Sequence, residues 1–202
     1  MTINRKHGII IGALFLLAMA AYMSGNGFIT SSLRDGIFES KFKLGIFLEF
    51  INSAAVVCIA ALIFPILRKQ NEWATTGYVA ARIVEATLLL IASACAFIPV
   101  LIPCNQNVIE AFMGFRNILF QLAMISLGAG SMLFCWVLFK SRMIPRLLSV
   151  LGIIGYFALF VSGWIELFVT SSIAFVLFIP GALFELTFPV WLFIKGFNDT
   201  RM

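Results

Sequence analysis

Residues 77–99 read GYVAARIVEATLLLIASACAFIP, a stretch in which only Arg82 and Glu85 carry charge. About 20 mainly apolar residues, at 1.5 Å rise each, are what a helix needs to cross a ~30 Å hydrocarbon core. The stretch therefore reads as a transmembrane helix. Arg82 and Glu85 are three apart and share one helical face. A charge at mid-helix costs about 2.5–3.5 kcal/mol on insertion scales, so that face has to meet partners or water inside protein.

Working outward, five further apolar runs of spanning length occupy residues 8–29, 46–67, 117–139, 147–168 and 173–194. Barrel strands need only ~9–11 alternating residues, and lipid tolerates no unpaired backbone. The expected fold is all-α, an integral membrane bundle of six transmembrane helices forming a single transmembrane domain over residues 1–202. Composition agrees. Hydrophobic residues make up 62% and charged residues 11% of the chain, against about 45–50% and 25% in soluble domains. A soluble enzyme, a disordered tail, a disulfide-stapled mini-domain and a nucleic-acid-binding module are all excluded, and the expected solvent is the lipid bilayer.

The net charge of +5 fits basic loops on one membrane face. Arg5, Lys6, Arg68, Lys69, Lys140, Arg142, Arg146, Lys195 and Arg201 fall on one side, and Arg34, Lys41, Lys43 and Arg116 on the other. Lys and Arg accumulate in cytoplasmic loops, which places both termini in the cytoplasm. Trp73, Trp136 and Trp191 near inner ends and Trp164 near an outer end suit interfacial anchors. Arg5 and Lys6, the run from Ile9 to Leu17 and then Ala18-Met19-Ala20 have the shape of a signal peptide. The apolar character continues towards Phe28, longer than an ordinary signal core, so the first span is expected to be retained.

Among the loops, Leu33, Ile37 and Phe38 recur between Ser32 and Lys43 at near-helical spacing, which suits either a short interfacial helix or a solvated connection. Asn107 with Glu110 suits a helix cap, and Gly114 reads as a break before the fourth span. Cys58, Cys95, Cys104 and Cys135 are scattered, without the spacing of a metal site, and read as small hydrophobes. No metal and no cofactor is expected.

The polar residues inside spans form two layers. The inner one has Arg82 and Glu85, about 8 and 12 Å from the cytoplasmic end, and Glu185, about 14 Å in. Two carboxylates and one guanidinium leave one negative charge over. Either one Glu is protonated or a proton, cation or cationic ligand completes the site. Pro180 and Pro189 flank Glu185, and each removes a backbone donor. The competing reading is a latch in which Arg82 joins Glu185 or Glu85 to hold helices together. The outer layer comprises Glu49, Asn52, Arg116, Asn117, Gln121 and Glu166, for which interfacial solvation is expected; Arg116 could neutralise Glu49 or Glu166. Small residues (Ser126, Gly128, Ala129 and Gly130, with weaker cases at Gly152 with Tyr156 and at Ala21 with Gly25) suit close helix packing within the monomer or across a homodimer.

The missing chemistry matters as well. His7 is the only histidine and lies outside the first span, which excludes bis-histidine haem ligation and leaves no serine–histidine dyad within the spans. Asp35 and Asp199, the only aspartates, lie in loops, and no phosphate-cradling glycine loop appears. An enzyme is not expected.

The stretches Phe64-Pro65-Ile66-Leu67-Arg68-Lys69, Gly77-Tyr78-Val79 and Arg82-Ile83-Val84-Glu85 resemble the second and third spans of a bacterial multipass membrane-protein family. Ile144-Pro145-Arg146-Leu147-Leu148 leading to Leu151-Gly152 resembles it too. So does the most specific part, Ile179-Pro180-Gly181-Ala182-Leu183-Phe184-Glu185 followed by Trp191-Leu192-Phe193-Ile194-Lys195-Gly196-Phe197. The family is that of domain of unknown function 4386. The resemblance implies a multi-pass protein of the bacterial plasma membrane, makes Arg82, Glu85 and Glu185 family-pattern positions, and supplies no activity.

The leading expectation is a small transporter or ligand-binding membrane protein whose inner Arg/Glu site takes a lipid or a small hydrophobic or cationic ligand. The alternative is a structural, sensory or partner-binding subunit in which the cluster only latches helices. An enzyme acting on a lipid-soluble substrate ranks last. Reporter fusions in the connection carrying Arg68 and Lys69 are expected to report the cytoplasm; a periplasmic signal there would contradict the orientation.

Overall fold

The computed structural model describes residues 3–35, 40–102, 105–169 and 172–198. They form six helices: α1 (Ile3–Asp35), α2 (Ser40–Leu67), α3 (Glu72–Leu101), α4 (Gln106–Ser141), α5 (Arg146–Phe168) and α6 (Ser172–Ile194), with no strand among the described residues. All six are long and apolar enough to cross a membrane.

Helix ends follow local chemistry. The Asn71 side chain accepts from the Ala74 N–H at 2.9 Å and caps α3. Asn105 does the same for α4, accepting from the Val108 N–H at 3.0 Å. Arg142, in the left-handed region at φ 56°, ends α4, and Pro145 leads into α5. Two expectations are corrected here. Asn107 lies inside α4, because Asn105 already holds the cap position. Gly114 makes no break, since α4 runs through it without interruption. In the first connection, α1 continues through Ser32, Leu33 and Arg34, while Lys41 and Lys43 belong to α2. Ile37, Phe38 and Glu39, needed for an interfacial helix, lie outside the described residues, as do Cys104, Asp199 and Arg201.

Each helix packs on its sequence neighbours, and α6 returns to α1, closing a ring. Small residues set the crossings. A Cβ built on Gly25 would stand 2.9 Å from the Gly45 carbonyl oxygen, and one on Gly45 equally close to that of Gly25, so α1 and α2 meet backbone to backbone. Gly128 brings α4 against the Tyr156 carbonyl of α5, and Gly155 brings α5 against Gly181 of α6. Ser126 Oγ donates to the Ala81 carbonyl at 2.9 Å, tying α4 to α3. The small-residue stripe of the fourth span is thus engaged inside the chain.

The Asn198 N–H donates to the Met143 carbonyl at 2.9 Å, and Gly196 lies beside Arg5. The start of α1, the residues following α6 and the α4–α5 turn therefore share one end of the ring. Arg5, Lys6, Arg68, Lys69, Lys140, Arg142, Arg146 and Lys195 cluster towards it, and it is called the basic end below. The lumen nearest that end is filled by rings: Phe188 packs on Phe15 at 5.4 Å, Phe184 at 5.3 Å and Phe134 at 5.6 Å between centroids. Large apolar side chains such as Phe47, Phe50, Phe157 and Leu147 are exposed on the outer wall, as a lipid-facing surface requires.

A Cβ on Gly155 would sit 2.8 Å from the backbone of Gly181, so Gly155→Ala is expected to cost about 1–3 kcal/mol through overpacking. A Cβ on Gly114 meets nothing within 4 Å, so Gly114→Ala is expected to be neutral or to stabilise by up to about 1 kcal/mol. Melting temperatures of the two detergent-purified variants check this, and equal values would contradict the close α5–α6 crossing.

Candidate functional site: two polar layers and a lumenal cavity

Towards the end opposite the basic one, Glu49 of α2 and Arg116 of α4 form a buried two-pronged ion pair. Arg116 Nη1 donates to Glu49 Oε2 at 2.9 Å, and Nη2 donates to Glu49 Oε1. Arg116 Nη2 also donates to Asn26 Oδ1 of α1 at 3.1 Å, and Ser93 of α3 donates to Glu49 Oε2. One charge pair thus gathers four helices, with good geometry on both carboxylate oxygens.

This corrects the expected solvation of the outer layer. Glu49 is 2% and Arg116 6% exposed, because the helices extend beyond the apolar runs and enclose them. Arg116 pairs with Glu49 and not with Glu166, which is half-buried and forms no ion pair among the described residues. Gln121 is buried, and its Oε1 has no hydrogen-bond partner among the described residues. Asn117 is exposed. Asn52 belongs to the other layer, as described next.

The inner layer surrounds a cavity of about 180 Å³ on the ring axis. Its polar lining is Asn52 of α2, Arg82 and Glu85 of α3, and Glu185 of α6; Phe15, Met19, Tyr22, Phe120 and Met124 supply apolar walls. Arg82 Nη1 lies 2.8 Å from Glu85 Oε2, both side chains being buried, so the guanidinium is engaged within its own helix. A pair inside one helix cannot latch two, and no Arg82–Glu185 ion pair forms among the described residues. Glu185 instead accepts a hydrogen bond from the Tyr156 hydroxyl of α5 at 3.2 Å. Pro189, four residues on, removes the N–H that would have bonded the Glu185 main-chain carbonyl, while α6 continues through both prolines.

The layer is under-satisfied. Arg82 Nε and the Tyr78 hydroxyl have no hydrogen-bond partner among the described residues, although both are buried. Buried polar groups are ordinarily paired, and an unpaired one costs about 1–3 kcal/mol. With Arg82 beside Glu85, the carboxyl group of Glu185 lines the cavity and has the Tyr156 hydroxyl as its hydrogen-bond partner.

A partition of three rings closes the cavity on the side away from the basic end. Tyr22 of α1 stacks on Phe120 of α4 (5.4 Å, 6°), and Phe120 stacks on Phe178 of α6 (6.5 Å, 8°). Beyond it lies a vestibule of about 270 Å³ lined by Asn26, Thr30, Arg116 and Asn117, with Tyr22 and Phe120 contributing to both spaces. Sequence reading missed Tyr78, although it stands one turn before Arg82 on the same face. It also missed Tyr156, Asn26, Ser93 and the ring partition, whose roles depend on which helices are neighbours.

Six apolar helices closed into a ring, with ionic groups turned inward and apolar side chains outward, define a multipass membrane protein embedded in a lipid bilayer. The family model described as Domain of unknown function (DUF4386) matches residues 10–196, and the chain belongs to that family. Arg82, Glu85 and Glu185 all lie within the matched segment. Neither a curated protein nor a solved structure matches the chain.

Removing one member of a buried ion pair strands the other, at about 3–5 kcal/mol. Glu49→Leu and Arg116→Leu are each expected to destabilise by that amount, and the double variant by less than either alone. Denaturation of the three variants checks it; strictly additive losses would contradict the pairing.

Proposed function

We propose that the protein binds a small cationic ligand in the lumenal cavity, as a transporter or ligand-binding membrane protein, with Glu185 as the anionic contact. The observation that carries the reading is the mismatch of partners: Arg82 sits on Glu85, whereas Glu185 lines the cavity with, among the described residues, the Tyr156 hydroxyl as its hydrogen-bond partner. An ammonium group placed there would balance the excess carboxylate. It would also lie among the rings of Tyr22 and Phe120, whose faces attract cations. A cavity of about 180 Å³ suits a small ammonium ion rather than a large organic cation.

A further support is that Glu49 and Arg116, with Asn26 and Ser93, have the geometry of a structural clamp, so that joining helices does not rest on the inner residues alone. The proposed setting is the bacterial plasma membrane with the basic end in the cytoplasm, on the strength of the Lys and Arg distribution. The role is binding or translocation rather than catalysis. In support, the sequence holds a single histidine, and Asp35 and Asp199 both fall outside the apolar spans.

Tetramethylammonium is a suitable probe. Radiolabelled tetramethylammonium is expected to bind the reconstituted protein saturably, and Glu185→Gln to weaken binding tenfold or more, about 1.4 kcal/mol per decade. Absence of saturable binding, or equal affinity in the variant, would overturn the proposal.

A further inference from the structure

The wall of the ring is not equally tight around the cavity. On the basic side, α1 and α6 are zipped together: a Cβ on Gly12 would stand 3.1 Å from the Phe193 ring, and Phe15 packs on Phe188 at 5.4 Å. Past Phe15 the cavity lining climbs α1 through Ala18, Met19 and Tyr22 to Met23. Met23 lines this interior space and is nevertheless 68% exposed. A side chain that belongs to both surfaces marks an opening in the wall.

The opening lies on the α6 side. On the other side of α1, the Gly25–Gly45 crossing brings α1 and α2 into backbone contact beside Met23. Towards α6, Tyr22 and Phe178 are bridged by Phe120, a ring reaching in from α4. Met23 falls inside the apolar run 8–29, so what lies outside the gap is hydrocarbon rather than water.

We infer that the cavity opens sideways into the bilayer through the seam between α1 and α6, and that its ligand is an amphiphilic cation, an ammonium head carrying an alkyl tail. The head sits in the cavity against Glu185, and the tail leaves past Met23 into the lipid. The ring stack of Tyr22, Phe120 and Phe178 stands at this exit and separates it from the vestibule. The inference rests on the cationic-ligand reading above and adds to it the route of entry and the class of ligand.

The test is displacement of radiolabelled tetramethylammonium from the protein in liposomes by alkyltrimethylammonium ions with tails of about two to eight carbons, plotted against free aqueous concentration. A tail that reaches lipid gains about fourfold in affinity per methylene, so the gain is expected to continue along the whole series. Met23→Trp is expected to flatten the series, and Met23→Leu, which keeps the volume, to retain it. A gain that stops after the first one or two carbons, once about 180 Å³ is filled, overturns the side entrance. If Glu185→Gln still weakens every member of such a truncated series, the cationic site itself stands. A series that Glu185→Gln leaves unchanged overturns the cationic site and the entrance together.

Discussion

An ionised side chain inside a bilayer has to find an opposite charge, hydrogen-bond donors or enclosed water, and this constraint orders the whole molecule. Two arginines lie at depth among the described residues, Arg82 and Arg116, and each is in contact with one carboxylate, Glu85 and Glu49. Glu185 is the acid left over at the ring axis. The closed ring, the rings that fill its basic half and the cavity at its middle can be understood as the packing that keeps these groups away from lipid.

The two polar layers differ in quality. Glu49 and Arg116 satisfy each other on both oxygens and recruit Asn26 and Ser93, so the network is directional and joins four helices. Such a pair gives little net stability over an apolar replacement, but it specifies which helices meet and at what height. The inner layer joins α5 to α6 through one hydroxyl and leaves the Tyr78 hydroxyl and Arg82 Nε without partners among the described residues. The inner layer thus leaves polar groups unpaired beside a cavity, whereas the Glu49–Arg116 network pairs both carboxylate oxygens.

Much of the fold was legible before any coordinates. Apolar runs of spanning length fix the number of helices, because a helix in lipid has no alternative to satisfying its own backbone. The i, i+3 spacing of Arg82 and Glu85 put both on one face, and the structure pairs them. What could not be read is adjacency across the ring. The sequence offers Glu49 and Glu166 equally to Arg116, and only the α2–α3–α4 arrangement brings Glu49 within reach. Likewise Asn52 is one turn from Glu49 on the same helix, yet it turns into the lumenal cavity while Glu49 faces Arg116. Gly114 misled because glycine carries a helix-breaking penalty of only about 1 kcal/mol, which the long apolar helix around it absorbs.

The site as described depends on Arg82 belonging to Glu85 and not to Glu185. Double-mutant cycles on the purified protein measure this directly, using Arg82→Met with Glu85→Gln and, separately, with Glu185→Gln. Groups in contact couple by about 0.5–3 kcal/mol. The expected result is a coupling of that size for Arg82 with Glu85 and a clearly smaller one for Arg82 with Glu185. A larger coupling between Arg82 and Glu185 would mean that α3 and α6 are latched through the cavity, and would contradict the site described here.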